Sequence, residues 1–148
     1  MLRVNHASLH KMKVHASRAY PEECCGMLIG RDDDQGRMVC DVVRMKNEGH
    51  ENRERRFLIT PEQYRRAEEL ARKGGLEVVG FYHSHPDHPA EPSQHDLEHA
   101  MPWWSYIIVS VENRLPASAR AWVLQDDRRG YEEQNMQVLD GEFEHRCK

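Results

Sequence analysis

The chain has no long apolar run, no excess of basic charge and no cysteine framework, and each absence removes a class of function. Nothing approaches the ~20 consecutive apolar residues that a membrane-spanning helix needs. Met1-Leu2-Arg3-Val4-Asn5 lacks the apolar core of a secretory signal. Lys and Arg number 21 against 25 Asp and Glu, a formal charge of −4. That balance gives no general pull towards nucleic acid or an anionic membrane. The four cysteines are Cys24, Cys25, Cys40 and Cys147, and no C-x-x-C pair offers a zinc knuckle. Cys24 and Cys25 are adjacent, a poor geometry for a bridge, so no disulfide framework is expected. The expected setting is the cytoplasm.

What remains is enough for one domain. A chain of 148 residues can bury a real core, and 39% apolar with 31% charged residues is a polar globular composition. Residues 1–148 therefore read as a single domain. Histidine is the unusual residue: five of the ten fall between His83 and His99.

The pattern predicts helices and strands mixed along the chain. Leu9, Met12, Ala16 and Ala19 recur at near-helical spacing, so His6 to Ala19 reads as an amphipathic helix ended by Pro21. Cys24 to Ile29 reads as a buried strand closed by Gly30, with Met38 to Val43 returning after a turn at Asp32–Gly36. Asn47 to Arg56 reads as a polar loop and Phe57-Leu58-Ile59 as a short strand. Thr60-Pro61-Glu62-Gln63 starts a helix that runs to about Lys73 and stops at Gly74-Gly75. Leu76 to Tyr82 is the next strand, Gln94 to Met101 a short helix, and Tyr106–Val111, Arg120–Leu124 and Tyr131–Leu139 later strands. The class is α/β or α+β around a mixed sheet.

The chemistry concentrates in His83-Ser84-His85-Pro86 and Pro92-Ser93-Gln94-His95-Asp96. Alternate side chains of a strand share a face, so His83 and His85 project together. Ser93 reads as a helix cap with Asp96 three residues on, which brings one carboxylate back towards the imidazoles. Two His and one Asp are three protein ligands, the layout of a zinc site with an open fourth position. Two other metal patterns overlap it. His83, His85, Asp87 and His88 fit the H-x-H-x-D-H of metallo-β-lactamase-like hydrolases, but that fold generally needs a longer chain and ligands further downstream. His95 and His99 sit four apart on a helix, yet Asp96 stands where a zincin has Glu, so both read as surface residues. A hydrolytic site also needs a base, and the motif holds none; Glu22 and Glu23 precede a buried strand, where spacing alone favours solvated acids.

Together the segments resemble the JAMM (MPN+) metallopeptidases, whose signature is an upstream Glu, H-[ST]-H-P, and S-x-x-D after seven residues. Glu23, His83-Ser84-His85-Pro86, Ser93 and Asp96 match it without a gap. Tyr20-Pro21-Glu22-Glu23-Cys24-Cys25-Gly26, Thr60-Pro61-Glu62 and Pro89-Ala90-Glu91-Pro92-Ser93 extend the likeness, which is strongest to small stand-alone prokaryotic members. The resemblance implies a cytidine deaminase-like α/β fold, the MPN domain, with a curved mixed sheet flanked by helices. It implies one Zn2+ per chain on His83, His85 and Asp96. Glu23 would be the base that passes a proton from water to the leaving amine, and Ser93 a donor to the oxyanion. The implied substrate is a ubiquitin-like sulfur-carrier protein cut after its C-terminal Gly-Gly, with a sheet edge accepting the tail. The Asn47–Arg56 loop, with Arg53, Arg55 or Arg56, would then face acidic groups of the carrier. The alternative from another class is a non-catalytic MPN module that only binds such a partner.

Overall fold

A computed structural model describes residues 1–47, 59–140 and 147. The elements are β1 (Leu2–Asn5), α1 (His6–Ala19), β2 (Cys25–Asp33), β3 (Gly36–Met45), α2 (Pro61–Lys73), β4 (Glu77–Pro86), α3 (Gln94–His99), β5 (Ser105–Glu112), β6 (Leu115–Leu124), β7 (Tyr131–Gln134) and β8 (Met136–Leu139). The strands form one mixed sheet in the order β7-β6-β5-β4-β2-β3-β1-β8. β4 runs parallel to β5, and β1 parallel to both β3 and β8, while the remaining pairs are antiparallel.

The helices lie where their patterns place them, because their ends are capped as the sequence encodes. The Asn5 side chain accepts the Ser8 N–H at 3.0 Å at the start of α1. Thr60 and Gln63 make a reciprocal box at the start of α2: the Gln63 N–H donates to Thr60 Oγ1 at 3.2 Å and the Thr60 N–H to Gln63 Oε1 at 2.9 Å. Each helix covers one face of the sheet. Leu9, Met12 and Ala16 of α1 pack on Leu28, Val39, Val79, Tyr82 and Ile107. Ala67 and Ala71 of α2 pack on Cys25, Met27, Ile29 and Val78. Side chains alternate between these two cores along β2, and along β4 beyond the register shift opposite Leu28 and Ile29, so the second face is the one that Phe81, His83 and His85 share.

Three expectations are corrected, and one strand was not expected. Gly30 does not close its strand; β2 runs on to Asp33 with a register shift between Ile29 and Gly30. A Cβ at Gly30 would lie 1.7 Å from the Met38 carbonyl oxygen, so the glycine marks a close backbone approach inside the sheet. Tyr131–Leu139 is two strands, not one, parted by Asn135 and lying on opposite edges of the sheet. Two residues two apart in sequence are at most ~7 Å apart, so the sheet curls until its edges meet there. The Leu2 N–H donates to the Asn135 carbonyl at 2.8 Å at this seam. β1 was unforeseen, a strand of four residues too short to carry a pattern. Lastly, Cys40 and Cys147, 107 residues apart, form a disulfide with Cα atoms 5.5 Å apart, while Cys24 and Cys25 are buried thiols outside any disulfide. Sequence spacing says nothing about which distant cysteines meet.

The expected strand at Phe57-Leu58-Ile59 is not supported: Ile59 is outside any strand, and Phe57 and Leu58 lie outside the described residues. The Arg53, Arg55 and Arg56 reading also lies outside them. Among the described residues no helix is long and apolar enough to cross a membrane.

Candidate active site

The site is assembled at the end of β4, which runs four residues further than the apolar pattern indicates and carries both histidines within the sheet. β4 pairs on one side with β2, matching Cys25 with His83. One rung further the Ser84 N–H donates to the Cys24 carbonyl at 3.1 Å, and the Cys24 N–H donates to Ser84 Oγ at 2.8 Å. This register stands Glu23 beside His85. Glu23 is 4% exposed whereas Glu22 is exposed, which separates the two adjacent acids. A donor atom from each of Glu23, His83 and His85 lies within 4.8 Å of the others.

The donors converge as a metal site requires. His83 Nε2 and His85 Nε2 are 3.2 Å apart, and Asp96 Oδ2 is 3.2 Å from the first and 3.1 Å from the second. A tetrahedral zinc with bonds of ~2.0–2.1 Å holds its donors ~3.3 Å apart, so the triangle has the right size. The His85 tautomer also fits. Its Nδ1 faces the Pro89 carbonyl at 2.9 Å; a carbonyl only accepts, so Nδ1 carries the hydrogen and Nε2 offers its lone pair to the triangle. Asp96 comes from the first turn of α3, held by a capping box: its N–H donates to Ser93 Oγ at 3.1 Å and the Ser93 N–H donates to Asp96 Oδ2 at 2.9 Å. The short helix exists to aim one carboxylate. It ends at His99 rather than Met101, because Ala100 turns into the extended region before Pro102.

Burial and charge set the protonation of these groups with no ion between them. Burial lifts Glu23 to about 8; the nearby His85 pulls it down in part and the Asp96 carboxylate raises it. Burial favours the neutral His85 ring, but hydrogen bonding and charge from Asp96 outweigh it and raise the group. Burial likewise disfavours the Asp96 carboxylate, yet His83, His85 and the Ser93 N–H hold it well below the usual range. The cluster is one acid that keeps its charge, two imidazoles facing it, and a second acid inclined to hold a proton.

Several supporting residues carry no local signal in the sequence. The loop from His85 to Ser93 is pinned by β5 and β6: Ser110 Oγ donates to the His88 carbonyl at 2.7 Å and Trp122 Nε1 to the Ala90 carbonyl at 3.0 Å. Arg120 adds ion pairs to Glu91 at 3.0 Å and Glu133 at 2.7 Å. Tyr131 Oη donates to the Asp96 carbonyl at 2.9 Å. These contacts span 13 to 35 residues, so only the pairing of β5, β6 and β7 brings them to the loop.

The rival metal patterns do not assemble. Asp87 is exposed, with one carboxylate oxygen accepting from Tyr20 Oη at 2.6 Å and the other from the Asn113 N–H at 3.0 Å. The metallo-β-lactamase-like reading therefore loses its aspartate. His95 and His99 stack at 4.1 Å between ring centroids. His99 is exposed as expected, but His95 is half-buried and both border a cleft of about 440 Å3 that ends on His83 and Asp96.

Comparison with known proteins agrees with this geometry. The model of a family described as prokaryotic homologs of the JAB domain matches residues 6–125. Desampylase of Haloferax volcanii is 36% identical over 98 residues, which cover 66% of this chain and 68% of that protein. A probable TtuB-protein conjugate cleaving protease of Thermus thermophilus is 30% identical over 112 residues, 76% of this chain and 72% of that protein. Among solved structures, a protein of Desulfitobacterium hafniense superposes with a TM-score of 0.86 at 30% identity, covering 100% of this chain and 99% of the other. A JAB1/MPN domain protein of Archaeoglobus fulgidus shares the fold, with a TM-score of 0.59 at 22% identity over 93% of this chain and 98% of that one.

Proposed function

The chain belongs to the family of prokaryotic homologs of the JAB domain and is a hydrolase, and we propose that it is zinc-dependent and cuts the bond after the C-terminal Gly-Gly of a ubiquitin-like sulfur-carrier protein. The observation that carries this reading is the buried triangle of His83 Nε2, His85 Nε2 and Asp96 Oδ2, with sides of 3.1–3.2 Å, beside Glu23. These three residues are the proposed ligands of one zinc ion. Bound there, zinc supplies a Lewis acid that polarises a carbonyl and acidifies water.

The remaining work falls to side chains of this chain. As a carboxylate, Glu23 takes the proton of the attacking water, and as the resulting acid it delivers that proton to the leaving nitrogen. Its burial suits that exchange, because burial raises Glu23 above the usual carboxylate range and so makes the ionised form a stronger base. Ser93 Oγ accepts the Asp96 N–H, which leaves its own hydrogen to donate to the oxyanion. The relative from Thermus thermophilus is named for cleaving conjugates of TtuB with proteins, and we infer that this chain likewise cuts a bond that joins a carrier to a further group. The proposed setting is the cytoplasm; recovery of the native protein in a secreted fraction would reject it.

The test combines zinc content with cleavage of a carrier extended beyond Gly-Gly, for wild type, Glu23→Gln and His85→Ala. We expect one zinc per chain and cleavage for wild type, zinc without cleavage for Glu23→Gln, and neither for His85→Ala. Zinc-loaded wild type that binds the carrier but never cuts it would favour the non-catalytic module.

A further inference from the structure

The cleft that ends on His83 and Asp96 is walled by aromatic rings whose polar atoms are largely spent. Phe81 stacks on Tyr106 with centroids 5.7 Å apart, and Trp104 stands edge-on to Phe81 at 5.4 Å. Tyr64 meets Trp104 edge-on at 6.1 Å, and Tyr131 meets Tyr106 at 6.0 Å. Tyr106 Oη accepts the Met101 N–H at 2.8 Å and Tyr131 Oη donates to the Asp96 carbonyl at 2.9 Å. Both rings therefore present faces rather than hydroxyls. Tyr64, Phe81, Trp104 and Tyr131 are only half-buried, so a ligand has apolar area left to cover. Among the described residues lining the cleft the one acid is Asp96, which already serves the two imidazoles, and His95 and His99 stand at its border.

We propose that this cleft receives the leaving group, and that it selects a large apolar or aromatic side chain in the first two residues after the scissile bond. The inference rests on the Gly-Gly reading above. Glycine has no side chain, so nothing next to the scissile bond on the acyl side fills a cleft that begins at the ligand atoms. The volume of about 440 Å3 and the mutually perpendicular ring planes suit a ring better than a single methylene chain. The substrate class is a carrier with a short apolar peptide extension, in preference to one joined through a lysine side chain.

The first measurement does not need turnover. Free Phe-Ala and Asp-Ala dipeptides are titrated into the zinc-loaded protein while the methyl resonances of Ile59 and Met101 are followed. Phe-Ala should shift both saturably, Asp-Ala should leave them unmoved, and Trp104→Ala, or the exposed rim variant Met101→Glu read at Ile59, should weaken the Phe-Ala response. Equal responses to the two dipeptides, or none, overturn the proposal. The second measurement compares carriers ending in Gly-Gly-Phe-Ala, Gly-Gly-Asp-Ala and Gly-Gly joined to a lysine Nζ. The first should exceed the others by about 100-fold in kcat/KM, and equal rates overturn the proposal. Selective Phe-Ala binding with no cleavage of any carrier would reject the proposed reaction while upholding the cleft as an apolar peptide site.

Discussion

Ser84 and Cys24 bind each other twice, the Ser84 N–H donating to the Cys24 carbonyl at 3.1 Å and the Cys24 N–H donating to Ser84 Oγ at 2.8 Å. Ser84 is fully buried between the two histidines, and Cys24 directly follows Glu23. The pair therefore ties Glu23, the proposed base, to the two histidines at the point where the β2–β4 ladder ends. Ser84→Ala leaves the buried Cys24 N–H without its acceptor, at a cost of about 1–3 kcal/mol. We expect a lower Tm with zinc still bound, and a fall in kcat of at least about 10-fold with little change in KM. Unchanged kcat in a folded variant would show that Glu23 does not depend on this tie.

Trp122→Phe keeps the ring but removes the N–H that holds the Ala90 carbonyl at 3.0 Å. The loop it pins also carries the Pro89 carbonyl that sets the His85 tautomer. Loss of such outer support weakens metal affinity by about 10-fold or more, measurable by competition with a chromophoric chelator. Wild-type affinity would remove Trp122 from the support of the site.

Glu23 gives the metal-free protein a pH dependence of definite sign. Its carboxyl rises from 4.5 to about 8 on folding, through burial first. Between those values the folded state binds the extra proton, so this contribution is fully present below 4.5 and is lost as pH rises towards 8. The loss is on the order of 5 kcal/mol. Glu23→Gln mimics the protonated form, so its apo Tm should gain on wild type steadily as pH climbs from 5 to about 8. A constant difference between the two would refute the assignment.

His15 has the opposite dependence and lies on the other face of the sheet. Its Nδ1 is 2.8 Å from Tyr82 Oη, and burial, helped by the charge of Arg44, lowers the imidazole from 6.5 to about 4. The unfolded chain takes up the proton first, so stability present above 6.5 is lost as pH falls from there towards 4. The ring is partly exposed, and allowing for solvent screening the effect is about 1–2 kcal/mol. His15→Gln, which keeps a hydrogen-bonding group but does not titrate, should lose less stability than wild type between pH 7 and pH ~4.5. Parallel melting curves would count against a buried neutral His15.

The proposed ligands could be picked out because their geometry is local. His83 and His85 alternate on one strand, and Asp96 is tied to Ser93 by a capping box three residues long. Backbone periodicity and cap chemistry act over a few residues, so spacing alone aims those side chains. Both long helices, His6–Ala19 and Pro61–Lys73, were legible for the same reason. Glu23 was not: resemblance singled it out, and nothing local distinguishes it from Glu22. The matching of Cys25 with His83 across 58 residues buries one acid at the ligands and leaves the other in solvent.

The sequence by itself determined which residue types stand at ligand spacing, where the helices begin and end, and hence the class of chemistry. Tertiary structure decided the rest: which glutamate faces the histidines, the curl that splits Tyr131–Leu139 across two sheet edges, the meeting of Cys40 with Cys147, and the aromatic cleft drawn from residues 64 to 131. Those features depend on strand register and on the burial of whole faces, which the chain selects collectively and no short window of residues encodes.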